Sequence, residues 1–125
     1  MIQFIKGLMR SFRAAARGIE VALREERTFR VMAASALVVI GLICLLPLSL
    51  EQRLLLLLVT GTVLVLELLN TALERFVDVT KPRLSPYVRD VKDLMAAAVL
   101  LASGIAAIIA AVILGPYAIS FLLHV

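Results

Sequence analysis

One segment of the chain, LVLELLNTALERFVDVT at residues 64–80, carries four side chains that can bind a cation or move a proton. They are Glu67, Asn70, Glu74 and Asp78. At about 100° per helical residue, Glu74 and Asp78 lie about 20° to either side of Glu67. Asn70 lies about 60° away, so the four side chains form one stripe. Carboxylates in a row repel one another unless a cation lies between them, and hard cations such as Mg²⁺ bind carboxylate and phosphate oxygens.

A purely structural role is the alternative, because polar side chains inside a membrane can hold helices together. For Asn70 taken alone, this alternative stays open. It explains the complete stripe less well, since helix association does not require several like charges in a row. The pattern as a whole therefore favours a cation-binding site.

The helix that carries this stripe belongs to a strongly apolar chain. Hydrophobic residues make up 62% of the 125 residues, and the mean hydropathy is +1.06. Three stretches contain no charged residue: 31–50, 54–66 and 94–123. A bilayer core about 30 Å thick is crossed by roughly 20 apolar helical residues, and soluble bundles do not contain charge-free stretches of this length. The sequence therefore predicts an all-α membrane protein.

We expect one domain, residues 1–125, with transmembrane helices at about 28–49, 51–80 and 89–114. Pro47 is expected to end the first span. Gly115-Pro116 is expected to break the third, so that residues 115–125 form a separate tail. If the apolar core begins near Leu54, Glu67 lies roughly 9–10 Å inside its inner boundary. A carboxylate at that depth must face protein or a water-filled cleft.

The segment before the first span is predicted to be an amphipathic helix, at about residues 3–25, that lies in the membrane interface. Basic residues occupy its polar faces. Its apolar residues recur at helical spacing and are Phe4, Ile5, Leu8, Phe12, Ala15, Ile19 and Leu23. A simple anchor or topology signal is the alternative for this segment.

Lysine and arginine are unevenly distributed between the connections. Seven precede the first span and five lie in or beside the connection between the second and third. The connection between the first two spans has only Arg53, beside Glu51. The positive-inside rule therefore predicts a cytoplasmic N-terminus and an external C-terminus. The net charge of +4 reflects this topology, and the chain has no nucleic-acid-reading motif.

Two further groups of charged residues fall at the same predicted membrane surface. Lys92 and Asp93 lie at the start of the third span, where a helix N-terminus favours an anion. Glu25 and Glu26 lie in REER, ahead of the first span. Each group also has a simpler explanation: Lys92 as a topology charge, Asp93 as a first-turn acid, and the two glutamates as a solvated charge run.

Together the three groups offer carboxylates for a metal, a lysine and a helix N-terminus for phosphate, and an acid at lipid depth. This combination suits phosphoryl transfer from a soluble Mg²⁺-nucleotide to a hydroxyl in the membrane, where a protein mainly positions and neutralises phosphate charge. The sequence has no GxxxxGK[ST] phosphate loop, so a nucleotide site would be built differently.

ELLNTALERFVD, followed by VKDLMAAAVLL, resembles the prokaryotic diacylglycerol kinase and undecaprenol kinase family, which are small integral-membrane lipid kinases of bacteria. The family pattern is close to E-x-x-N-[ST]-A-[IL]-E-x-x-x-D, with K-D a short loop later. EERTFR resembles its element ahead of the first span, and the resemblance covers roughly residues 10–114. It implies a homotrimer in the bacterial cytoplasmic (inner) membrane, with one surface helix and three spans per subunit. It also implies active sites that are shared between neighbouring subunits and that use ATP, Mg²⁺ and a membrane lipid alcohol.

The resemblance further implies roles for individual residues. Glu67 corresponds to the catalytic base that accepts the proton of the lipid hydroxyl, and Glu26 and Glu74 correspond to metal-binding glutamates. The residues implied in ATP binding are Glu26, Asn70, Glu74, Lys92 and Asp93.

Two departures from the family pattern bear on substrates. The connection TKPRLSPYVRD lacks the Tyr-His or His-Pro element of relatives, which leaves its nucleotide contacts open. Ala96 stands where diacylglycerol-specific relatives tend to have serine and undecaprenol kinases tend to have alanine, so it points towards an isoprenoid alcohol bound near Glu67 and Ala96. We therefore expect an ATP-dependent lipid kinase acting on undecaprenol or diacylglycerol. The alternative is an inactive relative that acts as a cation-binding or ion-conducting trimer.

Overall fold

The computed structural model describes residues 1–80 and 86–123, which form four helices. These are α1 (Ile2–Glu25), α2 (Arg27–Leu45), α3 (Leu50–Thr80) and α4 (Pro86–Leu123). Within the described residues, α2, α3 and α4 are each long and apolar enough to cross a membrane. The prediction of an all-helical chain with three candidate spans is confirmed. Residues 81–85, which are part of the connection in which nucleotide contacts were left open, lie outside the described residues.

α1 and α2 meet at a sharp corner formed by one residue, Glu26. Its backbone is extended, with φ −102° and ψ 112°, so α1 ends and α2 begins there. Its N–H donates to the carbonyl of Ala22 at 2.9 Å, and its carbonyl accepts from the N–H of Arg30 at 3.2 Å. The Arg30 guanidinium donates to the carbonyls of Leu23 and Arg24 at 3.3 and 2.9 Å. The two guanidinium bonds satisfy the carbonyls of Leu23 and Arg24 at the end of α1, where a helix leaves carbonyls without helical partners.

The turn between α2 and α3 is fixed by a reciprocal cap. The Ser49 hydroxyl accepts from the N–H of Gln52 at 3.3 Å, and the Gln52 side chain accepts from the N–H of Ser49 at 3.0 Å. This S-x-x-Q capping box starts α3 after Ser49. Because the turn occupies residues 46–49, α2 ends at Leu45, earlier than the predicted boundary near residue 49.

The predicted break at Gly115-Pro116 is wrong, because α4 continues to Leu123 with Pro116 inside the helix. Proline removes only one backbone donor, and the residues after it are apolar, so a helix still satisfies their backbone best in lipid. Tyr117 also holds this end in place, since its hydroxyl donates to the carbonyl of Pro47 at 3.4 Å. The same tyrosine packs against the buried cluster Ile43, Leu48, Leu56 and Ile113. The predicted separate tail is therefore helical as far as Leu123.

α4 begins at Pro86, a few residues before the predicted start at 89. Proline suits the first position of a helix, because its missing N–H would have no helical acceptor there. At about 1.5 Å per residue, the 31 residues of α3 extend about 46 Å and the 38 residues of α4 about 57 Å. Both helices are longer than the hydrocarbon core.

Most apolar side chains on the three long helices are exposed. Leu37, Leu58 and Leu100 are 70%, 66% and 73% exposed, whereas Leu56 is completely buried. In water, exposed apolar surface costs about 25 cal/mol per Å². These faces therefore require a cover of lipid or of other protein chains.

Candidate functional site

A cleft of about 370 Å³ opens between α2, α3 and α4, beside the corner at Glu26. The acids and the amide from α3 meet there with the corner glutamate and with small residues of α4. Its lining includes Glu26, Glu67, Asn70, Thr71, Glu74 and Ala96. Three of the four side chains in the predicted stripe therefore reach one space, and the fourth, Asp78, is not part of this lining.

Glu67 is the most deeply buried acid of the cleft. It is 4% exposed, and Thr71, one turn later on the same face of α3, is 8% exposed. Glu74 is half-buried and lies seven residues further along the helix, which is about 10 Å at 1.5 Å per residue. The cleft therefore has an inner acid within the span and an outer acid nearer its end.

Asn70 connects the inner and outer parts of the cleft. Its Nδ2 donates to Oε1 of Glu74 at 3.2 Å, which orients that carboxylate. Its Oδ1 is buried and accepts no hydrogen bond from the described part of the chain. A buried carbonyl oxygen without a donor is costly, so this atom suits a bound cation or a donor on a ligand.

Glu26 is held at the cleft by Arg75 of α3. Nη2 of Arg75 lies 2.9 Å from Oε1 of Glu26 and 2.9 Å from Oε2 of Glu25. Glu26 and Glu25 stand at the corner between α1 and α2, so one guanidinium ties that corner to α3. Glu26 lines the cleft, whereas Glu25 is not among its lining residues.

Lys92 and Asp93, near the start of α4, do not line the cleft. Nζ of Lys92 pairs with Oδ1 of Asp78 at 2.5 Å, and both side chains are partly exposed. Asp93 is exposed. Within one chain, the structure therefore brings together Glu26, Glu67, Asn70 and Glu74, but does not bring Lys92 or Asp93 to the cleft.

The donor set of the cleft fits a magnesium ion that arrives with a nucleotide. Among residues 1–80 and 86–123, no three His, Cys, Asp or Glu side chains are grouped closely enough to hold a metal by themselves. Mg²⁺ does not need such a group, since it commonly binds one or two carboxylates and completes its shell with phosphate oxygens and water. Glu26 and Glu74 both line the cleft and could supply such carboxylates, and the buried Oδ1 of Asn70 could supply a further oxygen.

An apolar groove of about 320 Å³ lies next to the cleft, among the apolar parts of α2, α3 and α4. Met32 and Ser103 line both the cleft and the groove. The groove runs past Val63 and Ala106 as far as Leu56 and Ala110. The inner end of the polar cleft therefore adjoins a space lined mainly by apolar side chains.

The sequence pattern did not indicate three contributors to this site. Thr71 lies four residues after Glu67, on the same face, and this spacing could have identified it. Ser103 lies in the charge-free stretch 94–123, where the sequence pattern does not distinguish it from its neighbours. Arg75 is one of the five positive residues in or beside the second connection, and its partners Glu25 and Glu26 are about fifty residues away in sequence.

The comparison with known proteins gives one family. The family model of prokaryotic diacylglycerol kinase matches residues 13–114. An undecaprenol kinase of Bacillus subtilis is 39% identical over 109 residues, which cover 86% of this chain and 87% of that protein. A diacylglycerol kinase of Synechocystis sp. is 40% identical over 114 residues, which cover 90% of this chain and 62% of that protein.

Proposed function

Because the chain belongs to the prokaryotic diacylglycerol kinase family, we propose that it transfers the γ-phosphate of ATP to the hydroxyl of a membrane lipid at the cytoplasmic interface. The chain is a lipid kinase by its family and by its named relatives. The proposal goes beyond the family assignment in four respects: the use of ATP, the use of a metal, the side of the membrane and the roles of individual residues.

The observation that carries the proposal is the position of Glu67 between two kinds of surface. It is buried within the span, polar groups of the cleft lie on one side of it, and the apolar groove begins nearby. A lipid alcohol likewise has a polar part and an apolar part, namely a hydroxyl and a hydrocarbon chain. Glu67 is thus suited to meet the hydroxyl while the chain lies in the groove.

Glu26, Asn70 and Glu74 form the nucleotide side of the cleft. Glu26 and Glu74 would hold Mg²⁺ on the phosphates, and Asn70 orients Glu74 through its hydrogen bond. Held there, the ion would help to neutralise the negative charge that develops on the phosphates during transfer. Lys92 and Asp93 are proposed to contact ATP once the nucleotide or another subunit completes the site.

The reaction follows from these positions. Glu67 accepts the proton of the lipid hydroxyl as its oxygen attacks the γ-phosphorus. The bond from that phosphorus to the β–γ bridging oxygen breaks, and ADP leaves with the electron pair. The surrounding helices exclude bulk water from Glu67, which limits hydrolysis of ATP at this position.

The lipid is proposed to be undecaprenol or diacylglycerol, with the isoprenoid alcohol favoured. Ala96 lines the cleft, so the position whose side chain differs between the two substrate types in relatives faces the reacting groups. The groove is lined mainly by apolar side chains, which suits a hydrocarbon or isoprenoid chain.

The protein is proposed to be a homotrimer in the inner membrane, with its N-terminus in the cytoplasm. The positive residues ahead of α2 and around the α3–α4 connection support this orientation. α1 supports an interfacial position, because Phe4 and Phe12 are 75% and 71% exposed on an otherwise basic helix. The exposed apolar faces of α2, α3 and α4 support contact with lipid and with neighbouring subunits.

The substrate proposal is tested by assaying purified protein in mixed micelles with radiolabelled ATP, with undecaprenol and diacylglycerol offered separately at equal mole fraction. The expected result is a higher kcat/KM for undecaprenol. A higher value for diacylglycerol would contradict the substrate preference, and no labelled lipid with either alcohol would contradict the kinase proposal.

A further inference from the structure

Arg75 forms the electrostatic link that ties the corner between α1 and α2 to α3. It occupies the position directly after Glu74, and its Nη2 pairs with both Glu25 and Glu26 at 2.9 Å. Both contacts come from Nη2, whose two N–H bonds can donate to one carboxylate each. The link therefore fixes how far the corner stands from the acidic face of α3.

The guanidinium reaches Glu26 from outside the cleft. Arg75 lines a different space, between α1 and α3, together with Ala22 and Ala72. Glu26 lines the cleft itself, and Oε1 is the oxygen that Arg75 engages. Oε2 is not part of this ion pair. Arg75 thus restrains the carboxylate without standing where a nucleotide or lipid would bind.

The link also reduces repulsion between carboxylates. Glu26, Glu67 and Glu74 line one small cleft, and their like charges oppose close approach. The positive charge of Arg75, paired with Glu26 on its outer side, reduces this repulsion between carboxylates before any ligand binds. Without it, Glu26 is free to rotate away from Glu74 into solvent, because the corner residue is half-buried.

We infer that Arg75 is a positioning residue for the metal site, which holds Glu26 beside Glu74 so that one divalent cation can bind both. This inference rests on the proposed function, since it assigns Glu26 and Glu74 to Mg²⁺. Residues that orient metal ligands from behind typically contribute 10–100-fold in metal affinity or activity.

The test measures metal binding directly, by electron paramagnetic resonance of Mn²⁺ added to the purified protein with a non-hydrolysable ATP analogue. Arg75→Gln should weaken Mn²⁺ binding about 10–100-fold. It should also raise the Mg²⁺ concentration for half-maximal activity by a similar factor, with kcat at saturating Mg²⁺ changed far less. Arg75→Lys should recover part of the affinity, because its ammonium keeps the charge but sits at the end of a flexible four-carbon side chain.

A matched control is Arg24→Gln, which removes an exposed arginine that pairs with Glu20 on α1. This variant should bind Mn²⁺ like the wild type. In a Glu26→Gln background, Arg75→Gln should have little further effect, because the ligand that it positions is already lost. An undiminished further loss in that background would show that Arg75 acts through the fold.

Wild-type Mn²⁺ affinity in Arg75→Gln would overturn the inference. If Arg75→Gln does not fold in detergent, Arg75→Lys decides, and full wild-type affinity in that variant would overturn it. A wild-type protein that binds Mn²⁺ but phosphorylates no lipid would contradict the proposed function instead, so the two failures are distinguishable.

Discussion

Replacing Glu67 by glutamine removes a proton acceptor while keeping the size and shape of the side chain. Glu67 is 4% exposed at the inner end of the cleft, where the apolar groove begins. A positioned general base contributes roughly 10²–10⁴-fold, which corresponds to about 2.7–5.5 kcal/mol of the activation barrier. We therefore expect turnover in Glu67→Gln to fall by at least about two decades.

The same variant should keep its fold and its nucleotide site. A neutral amide removes one of three like charges around the cleft and lowers the cost of burial within the membrane. Glu67 is about 10 Å along α3 from Glu74, so the proposed metal ligands are unchanged. Thermal unfolding in detergent and the affinity for Mg²⁺-ATP should match those of the wild type.

The assay is transfer of labelled phosphate to lipid, with ATP and lipid varied separately to give kcat and both KM values. Glu51→Gln is the matched control, because Glu51 is an exposed acid at the far end of the same helix. It should retain full activity. Turnover within tenfold of wild type in Glu67→Gln, or loss of ATP affinity in place of turnover, would refute the role of Glu67 as the base.

Three further predictions follow from the site. Glu74→Gln should raise the Mg²⁺ requirement sharply and lower activity by orders of magnitude, because one of the two proposed metal carboxylates is lost; a Mg²⁺ titration with wild-type dependence would show that Glu74 does not bind the metal. Mixing Glu67→Gln subunits with Lys92→Ala subunits should restore part of the activity if the two residues come from different chains of a trimer, and a fully active monomer by light scattering would contradict the trimer. Ala96→Ser should shift the ratio of kcat/KM several-fold towards diacylglycerol, since a hydroxyl is added to the cleft lining; an unchanged ratio would show that this position does not select the lipid.

The sequence predicted the acidic stripe because helical periodicity alone determines which residues share a face. Glu67, Asn70 and Glu74 do line one cleft. The three candidate spans could also be predicted from the sequence, because a long charge-free stretch is rarely anything other than a membrane-spanning helix. These features depend on local spacing and composition.

Features that depend on packing between distant segments were harder to predict. The helix break at Gly115-Pro116 was wrong because Tyr117, packed near Pro47, holds the end of α4, and because lipid favours a continuous helix. The role of Arg75 depends on partners about fifty residues earlier. The pairing of Lys92 with Asp78 likewise requires α3 and α4 to be positioned first. The proposed nucleotide contacts of Lys92 and Asp93 stay predictions.

The most direct test of lipid phosphorylation uses proteoliposomes that contain the purified protein, undecaprenol, radiolabelled ATP and Mg²⁺. Labelled phosphate is measured in the organic extract, and cation flux is measured in the same vesicles with a fluorescent reporter. We predict that lipid-linked phosphate accumulates with time, requires Mg²⁺, and is reduced at least about a hundredfold by Glu67→Gln. Cation flux without any labelled lipid, whether undecaprenol or diacylglycerol is supplied, would contradict the account and favour the ion-conducting alternative.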